Sequence, residues 1–251
     1  MKINEHTGIY YYSRPRIAQL TTTALLTPKV LLVPYATHHV PTYHNWMQDP
    51  DLQTATASEP LTLREEYEMQ ESWRRDADKL TFIVCTPPLT EREHITAGQE
   101  DAPGSMVGDV NMFLDPDAED ERAGNGDGAQ ALIGEIEIMI ADRAQQGKGL
   151  GCEILLAFMW YILQTRTLGM KEYHCSNPNG RENSSLRYLR AKIHKDNVRS
   201  TKLFEGVGFS KVSETPNYFG EIELRWTIGE DPLKDVETRM DAIPRVLAFK
   251  S

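Results

Sequence analysis

The sequence predicts an α/β domain: short apolar strands and helices that share one layered core. Three observations predict it. Apolar runs of strand length recur along the chain, at 30–35, 80–85, 106–114 and 133–141. Stretches with helical spacing of apolar residues separate and follow them. The 133–141 run alternates with period two and leads directly into a glycine-rich turn and a long apolar helix. With 251 residues, 40% of them hydrophobic, the chain is long enough for one large core.

The elements follow in order. Val30-Leu31-Leu32-Val33-Pro34-Tyr35 is an apolar run ended by proline, a buried strand. His38 to Gln48 places Val40, Tyr43, His44 and Met47 at helical spacing. After the turn Ser58-Glu59-Pro60, Thr62 and Glu65 form a capping box for a helix through Trp73. Strands are expected over 80–85 and 106–114. Residues 115–131 shift abruptly to Asp115, Asp117, Glu119, Asp120 and Glu121, then Gly124, Gly126 and Gly128, the composition of a solvated loop insertion. In the 133–141 strand Ile136, Ile138 and Ile140 face one way, and Glu135, Glu137 and Met139 the other. An amphipathic helix then carries Ile154, Leu155, Phe158, Met159 and Ile162. A strand over 188–193, a helix from Asn197 to Val207 stopped by Gly208, and a strand over 218–228 complete the domain. Residues 229–251 read as a polar tail with a weak helix.

Charge narrows the function. With 27 Lys and Arg against 37 Asp and Glu, the net charge of −10 argues against a nucleic-acid binder, which needs a basic footprint. It favours cationic partners such as amines. Cys85, Cys152 and Cys175 form neither a disulfide framework nor a metal pair, which suits a reducing compartment. Residues 1–25 lack a signal-peptide apolar core, and Ile154 to Leu163 is about half the ~20 residues of a membrane span. No membrane partner is therefore expected, and the location expected is the cytoplasm, with the nucleus as the alternative. His38, His39 and His44 have no carboxylate at ligand spacing in the sequence, so no metal is expected.

The strand, glycine turn and helix make an anion site, because a helix's first N–H groups lack intrahelical partners and carry the positive end of its dipole. The turn fits neither G-x-x-x-x-G-K-[ST] nor G-x-G-x-x-G. What remains is Q-x-x-G-x-G, from Gln146 through Gly149 to Gly151. It resembles the acetyl-CoA pyrophosphate loop of the GNAT acetyltransferase superfamily. The segment Asn197-Val198-Arg199-Ser200-Thr201-Lys202-Leu203-Phe204-Glu205-Gly206-Val207-Gly208-Phe209 resembles that family's second motif. Val33-Pro34-Tyr35, His39 to Met47, Thr56 to Leu63, Glu66 to Gln70, Asp76 to Lys79 and Gly108-Asp109-Val110-Asn111 are similar to its N-acetyltransferase 9 group.

The resemblance implies a GNAT fold with a mixed, curved sheet over residues 28–228, in which the strand before Gln146 and the Tyr188 strand run parallel and splay. It implies acetyl-CoA as co-substrate, held by Met139, Ile140 and Ala141 on the strand and by Gln146, Gly147, Lys148, Gly149, Leu150, Gly151 and Cys152 in the loop. Asn197 is either a pantetheine contact or simply a helix cap. The implied acceptor is a protein N-terminus, with tubulin as the partner assigned to that group. Against the same pattern, segments 8–23 and about 173–187 look inserted, and Phe204 stands where many relatives carry a tyrosine that protonates the leaving thiolate. Tyr218 is the candidate substitute.

Amine acetylation needs a base for the ammonium proton and a donor for the developing oxyanion. Glu135 and Glu137 share a strand face beside the implied thioester, and Glu135 aligns best with the family's strand-borne glutamate. A backbone N–H near Met139 or Ile140 is the candidate oxyanion donor. Glu59 is a candidate for holding the acceptor's amino terminus or a following arginine. Two other readings remain open: acetylation of lysine or a small amine, and a catalytically weak CoA-binding or cytoskeletal interaction protein.

Overall fold

A computed structural model describes residues 22–118, 130–177 and 184–250. Its strands are β1 (Thr23–Leu26), β2 (Leu31–Pro34), β3 (Lys79–Cys85), β4 (His94–Thr96), β5 (Met106–Pro116), β6 (Gln130–Ile140), β7 (Ser184–His194), β8 (Ser210–Lys211), β9 (Glu221–Thr227) and β10 (Arg245–Lys250). They form one ten-stranded sheet in the order β4-β10-β1-β2-β3-β5-β6-β7-β9-β8. Only the β4–β10 and β6–β7 pairs are parallel, so the sheet is mixed.

The helices are α1 (Val40–Trp46), α2 (Pro50–Thr56), α3 (Leu63–Arg75), α4 (Leu150–Ser176), α5 (Val198–Gly206) and α6 (Pro232–Glu237). Helix α3 starts on the expected capping box: Glu65 N–H donates to Thr62 Oγ1 at 3.3 Å, and Thr62 N–H donates to Glu65 Oε2 at 2.8 Å. On one sheet face Phe82, Val84, Val110, Ile136 and Leu189 pack with α4. On the other, Leu31, Val33, Ile83 and Met139 pack with Tyr43 and Met47 of the α1 region.

Several elements differ from expectation. Helix α4 is buried all round from Ile154 to Ile162 rather than amphipathic, because it is enclosed between the sheet and α5 and α6. The segment 229–251 carries the expected helix, α6, but it is not a tail, because it also supplies the interior strand β10, which pairs antiparallel with β1 and parallel with β4. Leu247 and Phe249 anchor it in the core, an alternation too short to stand out in a polar stretch. The expected loop at 115–131 is shorter at both ends. Asp115 and Pro116 continue β5, Asp117 is buried and accepts from Arg187 Nη1 at 2.9 Å, and β6 starts at Gln130. Of segment 173–187, residues 173–176 end α4 and residues 184–187 begin β7, and 178–183 lie outside the described residues. Segment 8–23 lies outside the described residues up to position 21.

Candidate active site

Strands β6 and β7 pair in parallel from Gln130↔Ser184 to Glu135↔Arg190, and there the ladder stops. Both strands continue, β6 to Ile140 and β7 to His194, so a gap opens between their C-terminal halves. Backbone groups alternate sides along a strand. Ala141 N–H donates to Val107 O of the β5 side at 2.9 Å, and Ile140 O, facing the other way, accepts from Gln146 Nε2 at 2.8 Å. The N–H groups of Ile138 and Ile140 therefore face the gap, while that of Met139 is committed to β5. Of the two expected oxyanion donors, only Ile140 points to the gap, and Ile138 joins it.

Beyond β6, the loop is tied down by its own side chains. Gln146 spans Ile140 O and Arg199 Nη1, the latter at 3.2 Å. Gly147 and Gly149 take φ of +74° and +78°, a region that disfavours side chains, and a Cβ on either would meet nothing within 4 Å. Both are therefore conformational glycines lining open space. Gly151 differs: a Cβ there would lie 2.8 Å from Leu203 Cδ2, so this glycine lets α4 and α5 approach. Gly149 caps the 27-residue helix α4 with no side-chain acceptor, which leaves the N–H groups of Leu150, Gly151 and Cys152 for an anion. Lys148 is exposed and donates to Gln145 Oε1 at 3.1 Å. Cys152 is half-buried, and burial followed by the Glu153 charge pushes its thiol pKa up. Asn197 caps α5, its Oδ1 accepting from Ser200 N–H at 3.1 Å. Phe204 is buried and packs edge-on against Phe209.

Across the sheet from the gap lies a polar cluster. The register aligns Tyr35, Thr81, Asn111 and Glu137 in one row over β2, β3, β5 and β6, with Asp109 one pleat further along on the same face. Tyr43 of α1 and Glu66 of α3 cover it. Asp109 is 2% exposed and accepts from Asn111 Nδ2 at 2.7 Å. Burial pushes its pKa up to about 7; the Asn111 bond opposes this and the Glu137 charge adds to it. Glu137 opens onto the gap and makes no hydrogen bond or ion pair among the described residues. Its pKa is also raised to about 7, chiefly by loss of solvent and then by Glu135, against Lys192. Burial raises the pKa of Glu66, with His44 opposing, and burial raises that of Tyr43, reinforced by Asp109, Tyr35, Glu66 and Glu137.

Glu135 sits differently. Its Oε2 lies 2.6 Å from Arg190 Nη2 and 3.1 Å from Lys192 Nζ. Glu135 is thus engaged by two cations, whereas Glu137 has no ion-pair partner among the described residues. Glu59 is exposed between α2 and α3 and makes no hydrogen bond or ion pair among the described residues. Tyr218 is 95% exposed, edge-on to Phe219. The sequence reading missed Asp109, Asn111, Tyr35, Tyr43, Thr81 and Glu66. One signal was available: Asp and Asn two apart in Met106–Leu114 put two polar groups on one face of a strand otherwise read as core.

The sequence also missed a partner for its histidines. His38 Nε2 and His39 Nε2 both lie 2.8 Å from Asp101 Oδ2. Three potential ligands thus converge within 4.8 Å. However, Ala36 N–H donates to His39 Nδ1 at 3.0 Å, so His39 Nε2 carries the proton and donates to Asp101. That lone pair is unavailable, and the trio acts as a hydrogen-bonded staple holding the α1 turn to the 97–105 loop.

Comparison with known proteins decides the family. The acetyltransferase (GNAT) domain family matches residues 29–210. The chain belongs to the GNAT acetyltransferase family. Human alpha/beta-tubulin-N-acetyltransferase 9 is 42% identical over 83% of this chain and 84% of its own length. An N-acetyltransferase 9-like protein of Schizosaccharomyces pombe is 38% identical over 78% of this chain and 91% of its own. Among solved structures, a GNAT-family acetyltransferase from Bacillus anthracis superposes with a TM-score of 0.52 at 13% identity, covering 81% of this chain and 98% of its own. This GNAT protein is an acetyl-CoA-dependent acyltransferase with an amine acceptor. No helix among the described residues is long and apolar enough to cross a membrane.

Proposed function

We propose that this GNAT enzyme acetylates the free α-amine of protein N-termini, those of tubulin first among them, with Glu137 as the base. The observation that carries the reading is Glu137 itself: a carboxyl without an ion-pair partner, placed where β6 leaves β7 and next to the inward N–H groups of Ile138 and Ile140. The family's acyl donor fits the residues present, because the α4 N-terminus is uncapped and the glycines ahead of it line open space. Acetyl-CoA, once bound, supplies an activated acetyl thioester. The N–H groups of Leu150, Gly151 and Cys152 hold its pyrophosphate, and Gln146 fixes the loop that presents them. Ile138 and Ile140 N–H stabilise charge developing on the carbonyl oxygen. Glu137 takes a proton from the acceptor ammonium, while Glu135 beside it is paired with Arg190 and Lys192.

The proton affinity of Glu137 favours an α-amine. Its pKa, raised to about 7, lies nearer to that of an α-ammonium than to that of a lysine ammonium. The names of two relatives, both alpha/beta-tubulin-N-acetyltransferase 9, support tubulin as the acceptor protein. Turnover of acetyl-CoA with peptides that begin Met-Arg-Glu, free or blocked at the N-terminus, tests the reading. Acetylation of the free peptides alone is expected. Turnover of blocked peptides through an internal lysine would move the assignment to side chains, and acetyl-CoA binding without turnover would end the enzymatic reading.

A further inference from the structure

The reacting centre lies at β6, yet the polar cluster extends three strands away from it, and its inner part has no assigned task. Among the described residues, five buried side-chain atoms of this cluster lack a protein hydrogen-bond partner: Tyr35 OH, Glu66 Oε2, Thr81 Oγ1, Asp109 Oδ1 and Asn111 Oδ1. Buried polar atoms left unpaired are costly, and such groups are normally bridged by internal water with two to four polar partners. With strands about 4.8 Å apart, the row from Glu137 to Tyr35 spans roughly 14 Å, the length of a short chain of waters. At its far side Glu66 Oε1 lies 3.9 Å from His44 Nδ1, and the His44 side chain is 20% exposed.

We propose that Asp109 is a second proton-carrying carboxyl of this enzyme, receiving the proton that Glu137 removes and passing it through internal water along Asn111, Thr81 and Tyr35 to Glu66 and His44. This rests on Glu137 being the base. The chemistry requires a proton exit. Acetylation of an ammonium forms the N–C bond, breaks the C–S bond and strips two protons from nitrogen. One proton ends on the departing thiolate sulfur, and the other must reach bulk solvent. Glu137 can act again only after giving that proton up. It is exposed at the gap where the acceptor enters, so while an acceptor occupies that opening the inner polar row offers the proton a second route.

The surroundings of Asp109 suit a carrier. It interacts with Glu137 from β6, Tyr43 from α1 and Tyr35 from the end of β2, and Glu66 of α3 acts on the same two tyrosines; Thr81 of β3 lies opposite Asn111. The nearest cations stay at the edges: Arg74 Nη1 donates to the Tyr35 carbonyl at 3.1 Å, and Lys192 stands beyond Glu137 next to Glu135. No lysine or arginine among the described residues is buried, so nothing locks Asp109 in its ionised form. Asp109 and Glu137 both have pKa values of about 7, so a proton moves between them at little cost.

The test uses Asp109→Asn, Glu66→Gln and Glu137→Gln in the full chain, with acetyl-CoA affinity by calorimetry as the check on folding. Asp109→Asn should lower kcat about 10–100-fold, below the full ~10²–10⁴-fold of a lost base. Acetyl-CoA affinity should stay within about twofold, and millimolar imidazole or formate should restore activity several-fold. Glu66→Gln should show a smaller loss with the same buffer response. Full kcat in folded Asp109→Asn would overturn the proposal, and so would a loss that no small buffer relieves. If Asp109→Asn fails to fold, Glu66→Gln decides: buffer rescue supports the exit route, and unchanged kcat with an unchanged solvent isotope effect refutes it. Full kcat in Glu137→Gln would instead sink the base assignment, a result distinct from either.

Discussion

Asp109 should weaken the fold it serves, and replacing it should stabilise the protein in a pH-dependent way. In an unfolded chain its carboxyl has a pKa near 3.8; in the folded protein burial raises it to about 7. Between those values the folded state holds a proton that the unfolded state has released. Stability therefore falls as pH rises through this window and levels off above about 7. At 1.36 kcal/mol per pH unit, the ionised form costs up to about 4 kcal/mol at pH 8 and about half that at pH 5. Asn at the same position keeps the shape and still accepts from Asn111 Nδ2, but it cannot ionise. Urea unfolding of Asp109→Asn and the unmutated chain at pH 5 and pH 8 should show the variant's advantage growing by roughly 2–3 kcal/mol between the two pH values. Because Asp109 and Glu137 repel each other, the same comparison in a Glu137→Gln background separates the Asp109 contribution from their coupling. An advantage that does not change with pH would show that Asp109 does not titrate in this window. Losing activity while gaining stability is the trade-off expected of a functional buried charge.

Other substitutions separate the remaining roles. Glu137→Gln should lower kcat by about 10²–10⁴-fold and remove the rise of kcat with pH near 7, whereas Glu135→Gln, which frees Arg190 and Lys192, should act mainly on peptide KM; equal kcat losses in steady-state kinetics would contradict the division. Gly149→Asp puts a side chain and a negative charge where the pyrophosphate binds, so calorimetry should show loss of acetyl-CoA binding with the circular dichroism spectrum retained. Gly151→Ala sets its methyl against the terminal methyls of Leu203, which must shift while the helix gains the propensity of Ala; thermal unfolding should change by no more than about 1 kcal/mol, and adding Leu203→Ala should remove the contact. Deleting residues 243–251 removes β10, with its buried Leu247 and Phe249, from between β1 and β4; soluble yield and Tm should both fall, and an unaffected Tm would restore the reading of a dispensable tail.

Local chemistry was enough to read much of this protein from its sequence. The capping box at Thr62 and Glu65, the alternation of Ile136, Ile138 and Ile140, and the glycine turn into α4 are each decided by a few neighbouring residues, so their elements and the turn proposed to hold the pyrophosphate could be read without coordinates. The splay of β6 from β7 followed from the family resemblance that the loop motif carried. Tertiary structure alone decided the partners. Glu135 and Glu137 look equivalent on their strand, and only the arrival of Arg190 and Lys192 on β7, more than fifty residues later, neutralises one and leaves the other. Asp109, Tyr35 and Glu66 are scattered over the first half of the chain as ordinary strand and helix residues, and they become a buried acidic cluster because antiparallel register lines them up across four strands and two helices close over them. Strand β10 shows the same cause: a six-residue strand in a polar stretch has too little pattern to declare itself, and it exists because β1 and β4 leave a place for it. Sequence patterns report which face of an element is buried, but charge pairing, proton affinity and edge-strand closure depend on which distant element lies against that face.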